Sequence, residues 1–155
     1  MSKQPCPEGI DCVWLASDCK GHVGAFITAG AGPIPTEALR SVYLSVEDIE
    51  SQLVHLPSIS QAELLVSVPR PDDFIALAER GLFVYDWTDI HRTAGAQLRV
   101  YEPVAVPTQP LSASSLPADL AILAKALRLA GVAFAATAVV DIRAHLSCVE
   151  TETEQ

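Results

Sequence analysis

The chain of 155 residues has little of what most function classes need. Only 10 of its side chains are Lys or Arg against 19 Asp or Glu, a formal net charge of -9. Nucleic-acid binding draws most of its affinity from Lys and Arg, so a phosphate-backbone partner is disfavoured, as is an anionic membrane surface. The amino-terminal run MSKQPCPEGIDC has no apolar segment of the secretory kind. The most apolar stretch, Leu120 to Val140, is interrupted by Lys125, Arg128 and Gly131. A charge near a bilayer centre costs a few kcal/mol, so this run reads as a buried helix followed by a strand. The expected location is the cytoplasm, with no membrane association.

Four cysteines, Cys6, Cys12, Cys19 and Cys148, contain no C-x-x-C pair. Their spacing, taken with His22, matches no zinc knuckle, so free thiols and no metal are expected. The glycine run Ala29-Gly30-Ala31-Gly32-Pro33 carries neither the P-loop Lys-Ser/Thr nor a full G-x-G-x-x-G, and Pro33 removes one of the amides that would cradle a phosphate. It reads as a turn, and no cofactor is assigned.

What is present is enough for a core. Half of the residues are hydrophobic and the mean hydropathy is +0.29, which excludes a disordered chain. The length fits one domain, 1–155, with frayed ends over about residues 1–10 and the acidic 149–155. Residues 12–16 and 22–29 are strand-like around a polar turn at 17–21. Pro35 opens a short helix, and Ser45 caps another that Pro57 ends. Leu64 to Val68 is a compact apolar strand. Pro71, Asp72 and Asp73 open a helix that Arg80 and Gly81 close, and 82–87 is again a strand. Residues 97–106 return antiparallel through a turn at 91–95, and a proline-rich loop spans 103–117. Ser115 then caps a helix over 118–130 with Gly131 as its stop, and alternation from Phe134 to Ile142 marks a final strand. The fold class is α/β (α+β): a single domain with a mixed β-sheet flanked by helices.

The one segment rich in chemistry is Tyr85-Asp86-Trp87-Thr88-Asp89-Ile90-His91-Arg92. In an extended chain Asp89 and His91 share a face and could form an orienting hydrogen bond for general-base work, but the local sequence holds no nucleophile and no metal set. The same pair could hold a strand end, with Trp87 in the core. A third reading is a binding edge in which Tyr85, Asp86, Trp87, Asp89, His91 and Arg92 meet a protein partner, since Trp, Tyr and Arg anchor interfaces and Asp pairs with basic groups. No residue is assigned a catalytic role.

Residues Trp14-Leu15-Ala16, Gly21-His22-Val23, Phe26-Ile27-Thr28 and Gly32-Pro33-Ile34-Pro35, continued in Gly81-Leu82-Phe83-Val84-Tyr85-Asp86-Trp87, resemble small bacterial proteins of the immunity type associated with polymorphic toxins. The resemblance covers about a third of the chain and carries fold rather than chemistry. It implies an immunity or inhibitor protein that binds and neutralises a partner toxin or effector. The acidity would suit a basic partner, and homo-oligomer formation is compatible with it. The competing readings are a small enzyme built on Asp89 and His91, and a ligand-binding or oligomeric accessory protein.

Overall fold

The structure, a computed structural model, describes residues 12–28, 48–65, 71–87, 101–129 and 133–135. The first hairpin joins β1 (Val13–Asp18) to β2 (Val23–Ile27), antiparallel, with Trp14 opposite Phe26 and Ala16 opposite Gly24. Every residue of both strands is buried, so both faces of the sheet are covered here. The chain continues through α1 (Ile49–Leu53), β3 (Ala62–Leu64), α2 (Asp72–Glu79), β4 (Phe83–Trp87), β5 (Tyr101–Pro107), α3 (Ala118–Ala126) and β6 (Arg128–Leu129).

The six strands form one mixed sheet in the order β3-β5-β4-β2-β1-β6. Strand β5 is antiparallel to both β3 and β4, so β3 and β4 run parallel with β5 inserted between them, and α2 packs across β3, β5 and β4. The sequence reading of strand, helix and strand therefore holds, with the parallel order of β3 and β4 deciding a direction the sequence leaves open, and β4 and β5 pair antiparallel as expected. What the linear order concealed is the inserted strand.

Helix α2 ends as its sequence suggests. Gly81 adopts φ +92, its N–H donates to the Ala78 carbonyl, and the Leu82 N–H reaches back to the Leu77 carbonyl. That pair of bonds is a Schellman stop, which favours glycine at the left-handed position. Leu111 fills the room left by the missing side chain: its Cβ lies 2.7 Å from where a Gly81 Cβ would be, and its N–H donates to the Gly81 carbonyl at 2.8 Å.

Several boundaries differ from expectation. The strand expected at 64–68 occupies Ala62–Leu64, with 66–70 outside the described residues. Strand β5 runs through Pro107, so the proline-rich segment begins inside the sheet rather than as a surface loop. A register shift between Val84 and Tyr85 accommodates this: Val84 faces Ala105 but Tyr85 faces Pro103, leaving Val104 as the extra residue. A bulge is where an inner strand tolerates a proline, which has no N–H for the ladder. Val104 then gives its carbonyl to the Leu65 N–H on the other side.

The last helix is shorter than the 118–130 expected. Leu120, Leu123 and Ala124 form its buried stripe at helical spacing, and the helix packs on β1. At Leu127 the backbone turns extended, its carbonyl accepts from the Ser17 N–H, and Arg128 and Leu129 pair with Ser17 and Asp18. Sheet pairing overrides helix propensity here. Ser115 lies in a 3-10 turn, Ala113–Ser115, capped by the Ser112 hydroxyl, and Pro117 is the residue preceding α3. Phe134 sits in a turn rather than opening a strand; 136–142 lie outside the described residues, as do the Pro35 helix, Ser45 and the 91–95 turn.

One face of the sheet is aromatic. Trp14 stacks on Phe26 at 4.2 Å between ring centroids and Phe26 on Tyr85 at 4.9 Å, while Tyr101 meets Trp14, Phe26 and Trp87 edge-on. The Trp14 indole N–H donates to the Tyr101 hydroxyl at 3.1 Å, which satisfies a polar group that burial would otherwise penalise. Phe134 closes over this face beside Gly24, where a Cβ would stand 2.9 Å from its ring.

Candidate functional site

The segment singled out in the sequence divides at the end of β4. Tyr85, Asp86 and Trp87 are buried in an inner strand, with Tyr85 and Trp87 on the aromatic face. Trp87 is 5 % exposed, in keeping with the core reading of that residue. Asp86 is also buried, opposite Glu102 of β5. Asp89, His91 and Arg92 lie outside the described residues.

The acid that organises the described chain is Asp18, at the end of β1, which the sequence offered only as part of a polar turn. Its carboxylate is wholly buried. Oδ1 accepts from the N–H groups of Lys20 and His22, each at 2.9 Å, and Oδ2 accepts from the N–H of Phe134 at 2.8 Å. The Asp18 N–H and carbonyl also close the turn, through the His22 carbonyl and the Gly21 N–H, and Gly21 takes φ +80. An aspartate that gathers amides in this way mimics a backbone turn. The His22 ring nitrogen Nδ1 lies 3.9 Å from Oδ2, beyond hydrogen-bond reach. Tyr85 faces the same acid from β4: burial first, and the Asp18 charge second, push its phenol well above the usual range, and its hydroxyl finds no partner among the described residues.

Cys12 and Cys19 do not gather with His22 into a ligand set, because they lie at opposite ends of β1. Cys12 is buried, and its N–H donates to the Thr28 hydroxyl. Cys19 is half-exposed in the turn.

The turn held by Asp18 forms one wall of an open cleft of about 470 Å³. Cys19, Lys20 and Gly21 supply that wall, Ser112 to Ser114 a second, Lys125 and Arg128 a third, and Ser17 faces in from β1. The walls are tied together: Ala113 N–H donates to the Gly21 carbonyl at 2.8 Å, and the Arg128 guanidinium to the Cys19 carbonyl at 2.8 Å. No described carboxylate lines the cleft.

Comparison with family models, curated proteins and solved structures found no match.

Among the described residues the basic side chains gather at one end of the sheet and most exposed acids at the other, Asp119 in the first turn of α3 being the exception. Of the four Lys and Arg among the described residues, Lys20, Lys125 and Arg128 line the cleft at the β1–β6 end. The fourth, Arg80, is tied to the carbonyls of Ala76 and Val54. At the β3 end the elements α1, β3 and α2 carry Asp48, Glu50, Glu63, Asp72, Asp73 and Glu79. On the same side Val54, Ile59 and Leu65 are 42 %, 40 % and 46 % exposed. The side holds together through the Ile59 N–H on the Glu79 carbonyl and the Arg80 guanidinium on the Val54 carbonyl. Strand β3 is an edge of the described sheet. The segregation went unread in the sequence because Lys20 is separated from Lys125 by most of the chain.

Among the described residues no helix is long and apolar enough to cross a membrane.

Proposed function

We propose that the chain is an immunity or inhibitor-type protein that binds a basic effector and neutralises it by covering its active surface. The observation that carries this reading is the acidic α1–β3–α2 side, where half-exposed Val54, Ile59 and Leu65 accompany six carboxylates beside β3, an edge strand among the described residues. Apolar side chains supply affinity once desolvated, while the surrounding acids steer a cationic partner and raise its rate of encounter. An edge strand offers backbone groups to a strand of the partner. The partial resemblance of the sequence to immunity proteins points the same way. The docking side proposed is thus distinct from the buried part of the Tyr85 to Arg92 segment.

The test is co-expression and co-purification with the product of the neighbouring gene. The reading expects a one-to-one complex in which the effector's activity and toxicity are suppressed. Absence of a complex at low salt, together with undiminished toxicity, overturns it.

A further inference from the structure

We propose that the cleft at the β1–β6 end binds a small ligand through a phosphoryl group, a phosphomonoester or pyrophosphate. Its volume of about 470 Å³ lies in the range of ordinary small-molecule sites. The decisive feature is charge. In a chain of net charge -9, three cations from three separate elements converge on one opening: Lys20 from the β1–β2 turn, Lys125 from the last turn of α3, and Arg128 from β6. Like charges repel, and such a grouping is most stable when an anion sits among them.

The neutral groups fit the same ligand. The exposed Ser112 and Ser114 line the cleft and carry hydroxyls. The Ser112 oxygen already accepts from the Ser114 N–H, which leaves its O–H to donate outward. Cations and hydroxyls approaching from three walls suit a tetrahedral group with several acceptor oxygens better than a planar carboxylate. A nucleic-acid strand is disfavoured, because beyond the opening a polyanion meets an acidic chain. A small ligand meets only the cleft.

The frame is built before any ligand arrives. Asp18 fixes the turn that carries Lys20, the Ala113 to Gly21 bond joins the two loops, and the Arg128 to Cys19 bond holds the third wall. Preorganisation of this kind lowers the ordering cost of binding.

The test is calorimetric titration of the isolated chain with inorganic pyrophosphate and with glycerol phosphate at low ionic strength, with citrate as the carboxylate control. The expected result is saturable binding of the phosphoryl probes. Lys125→Gln, at an exposed position, weakens it about tenfold with an unchanged melting temperature, the loss expected for one charge-assisted hydrogen bond. Saturating pyrophosphate also slows alkylation of Cys19, read peptide by peptide, in the wild type. No saturation at millimolar pyrophosphate, equal binding by Lys125→Gln, or binding of citrate as tight as that of pyrophosphate overturns the proposal. So does salt-sensitive self-association that Lys125→Gln abolishes, since the cleft would then receive the acidic side of another copy. The titration involves no effector, so its outcome is independent of the inhibitor reading.

Discussion

The carboxylate of Asp18 accepts the backbone N–H of Phe134 at 2.8 Å across 116 residues of sequence. One buried side chain therefore closes the first turn of the fold and fastens the segment that covers its aromatic face. The same turn presents Lys20 and Cys19 to the cleft, so the packing of one face and the geometry of the basic opening share an anchor.

Asp18→Ala strips a partner from three backbone amides, two of them in the turn. Each buried donor left unpaired costs about 1–3 kcal/mol, so a total loss of about 3 kcal/mol or more is expected in a denaturant titration. Phe134 should lose order with it, seen as faster hydrogen exchange of its amide. A loss below about 0.5 kcal/mol, the scale of an ordinary surface substitution, would contradict the role given to this acid.

Three glycines should respond in a definite order. Gly21 has φ +80 with open space around it, so Gly21→Ala costs only the left-handed strain, about 1 kcal/mol. Gly24→Ala pushes a methyl to 2.9 Å from the Phe134 and Phe26 rings, an overpacking cost of about 2 kcal/mol. Gly81→Ala combines φ +92 with a 2.7 Å approach to Leu111 and should cost most, about 3 kcal/mol. Melting temperatures that rank Gly21→Ala as the most damaging would refute this order.

Tyr85 makes stability fall at high pH. A tyrosine in the unfolded chain ionises near pH 10, whereas burial and then Asp18 keep the folded phenol protonated beyond that. Above about pH 10 the unfolded state binds fewer protons than the folded state, so stability declines as pH rises. Tyr85→Phe should remove that part of the slope. It should also raise stability at neutral pH by up to about 1 kcal/mol, because the hydroxyl it deletes is buried without a partner among the described residues. Unfolding curves at neutral and alkaline pH for the two proteins check both effects.

The elements legible in the sequence are those whose signals are local. Strands β1 and β2 announce themselves by Val, Ile and Phe around a polar turn, and α2 by two first-turn aspartates and a closing Gly81. The β4–β5 hairpin follows from two apolar runs. What escaped depends on distant partners. Nothing near Arg128 and Leu129 says that they leave a helix to pair with Ser17 and Asp18. Nothing near Val84 tells of a bulge that admits Pro103.

The candidate sites were less legible for the same reason. For Trp87 the sequence offers both a core and a contact reading because an aromatic side chain carries no mark of which face it takes; in the fold it lies beside Tyr101 in an inner strand and is buried. The three cations of the cleft are unremarkable singly in the sequence and acquire meaning only when β6 is laid beside β1.

The central claim is that the acidic α1–β3–α2 side receives a basic protein partner. Its most direct test is the association rate with the neighbouring gene's product, measured over increasing salt for the wild type and for the combined variant Glu63→Gln, Asp72→Asn, Asp73→Asn. All three acids are exposed, so the fold should be kept, at a small cost from the two first-turn aspartates of α2. The account predicts a wild-type rate that falls steeply with salt, and a variant that associates about tenfold more slowly at low salt with a flattened dependence. Equal rates and equal salt slopes for the two proteins would contradict it.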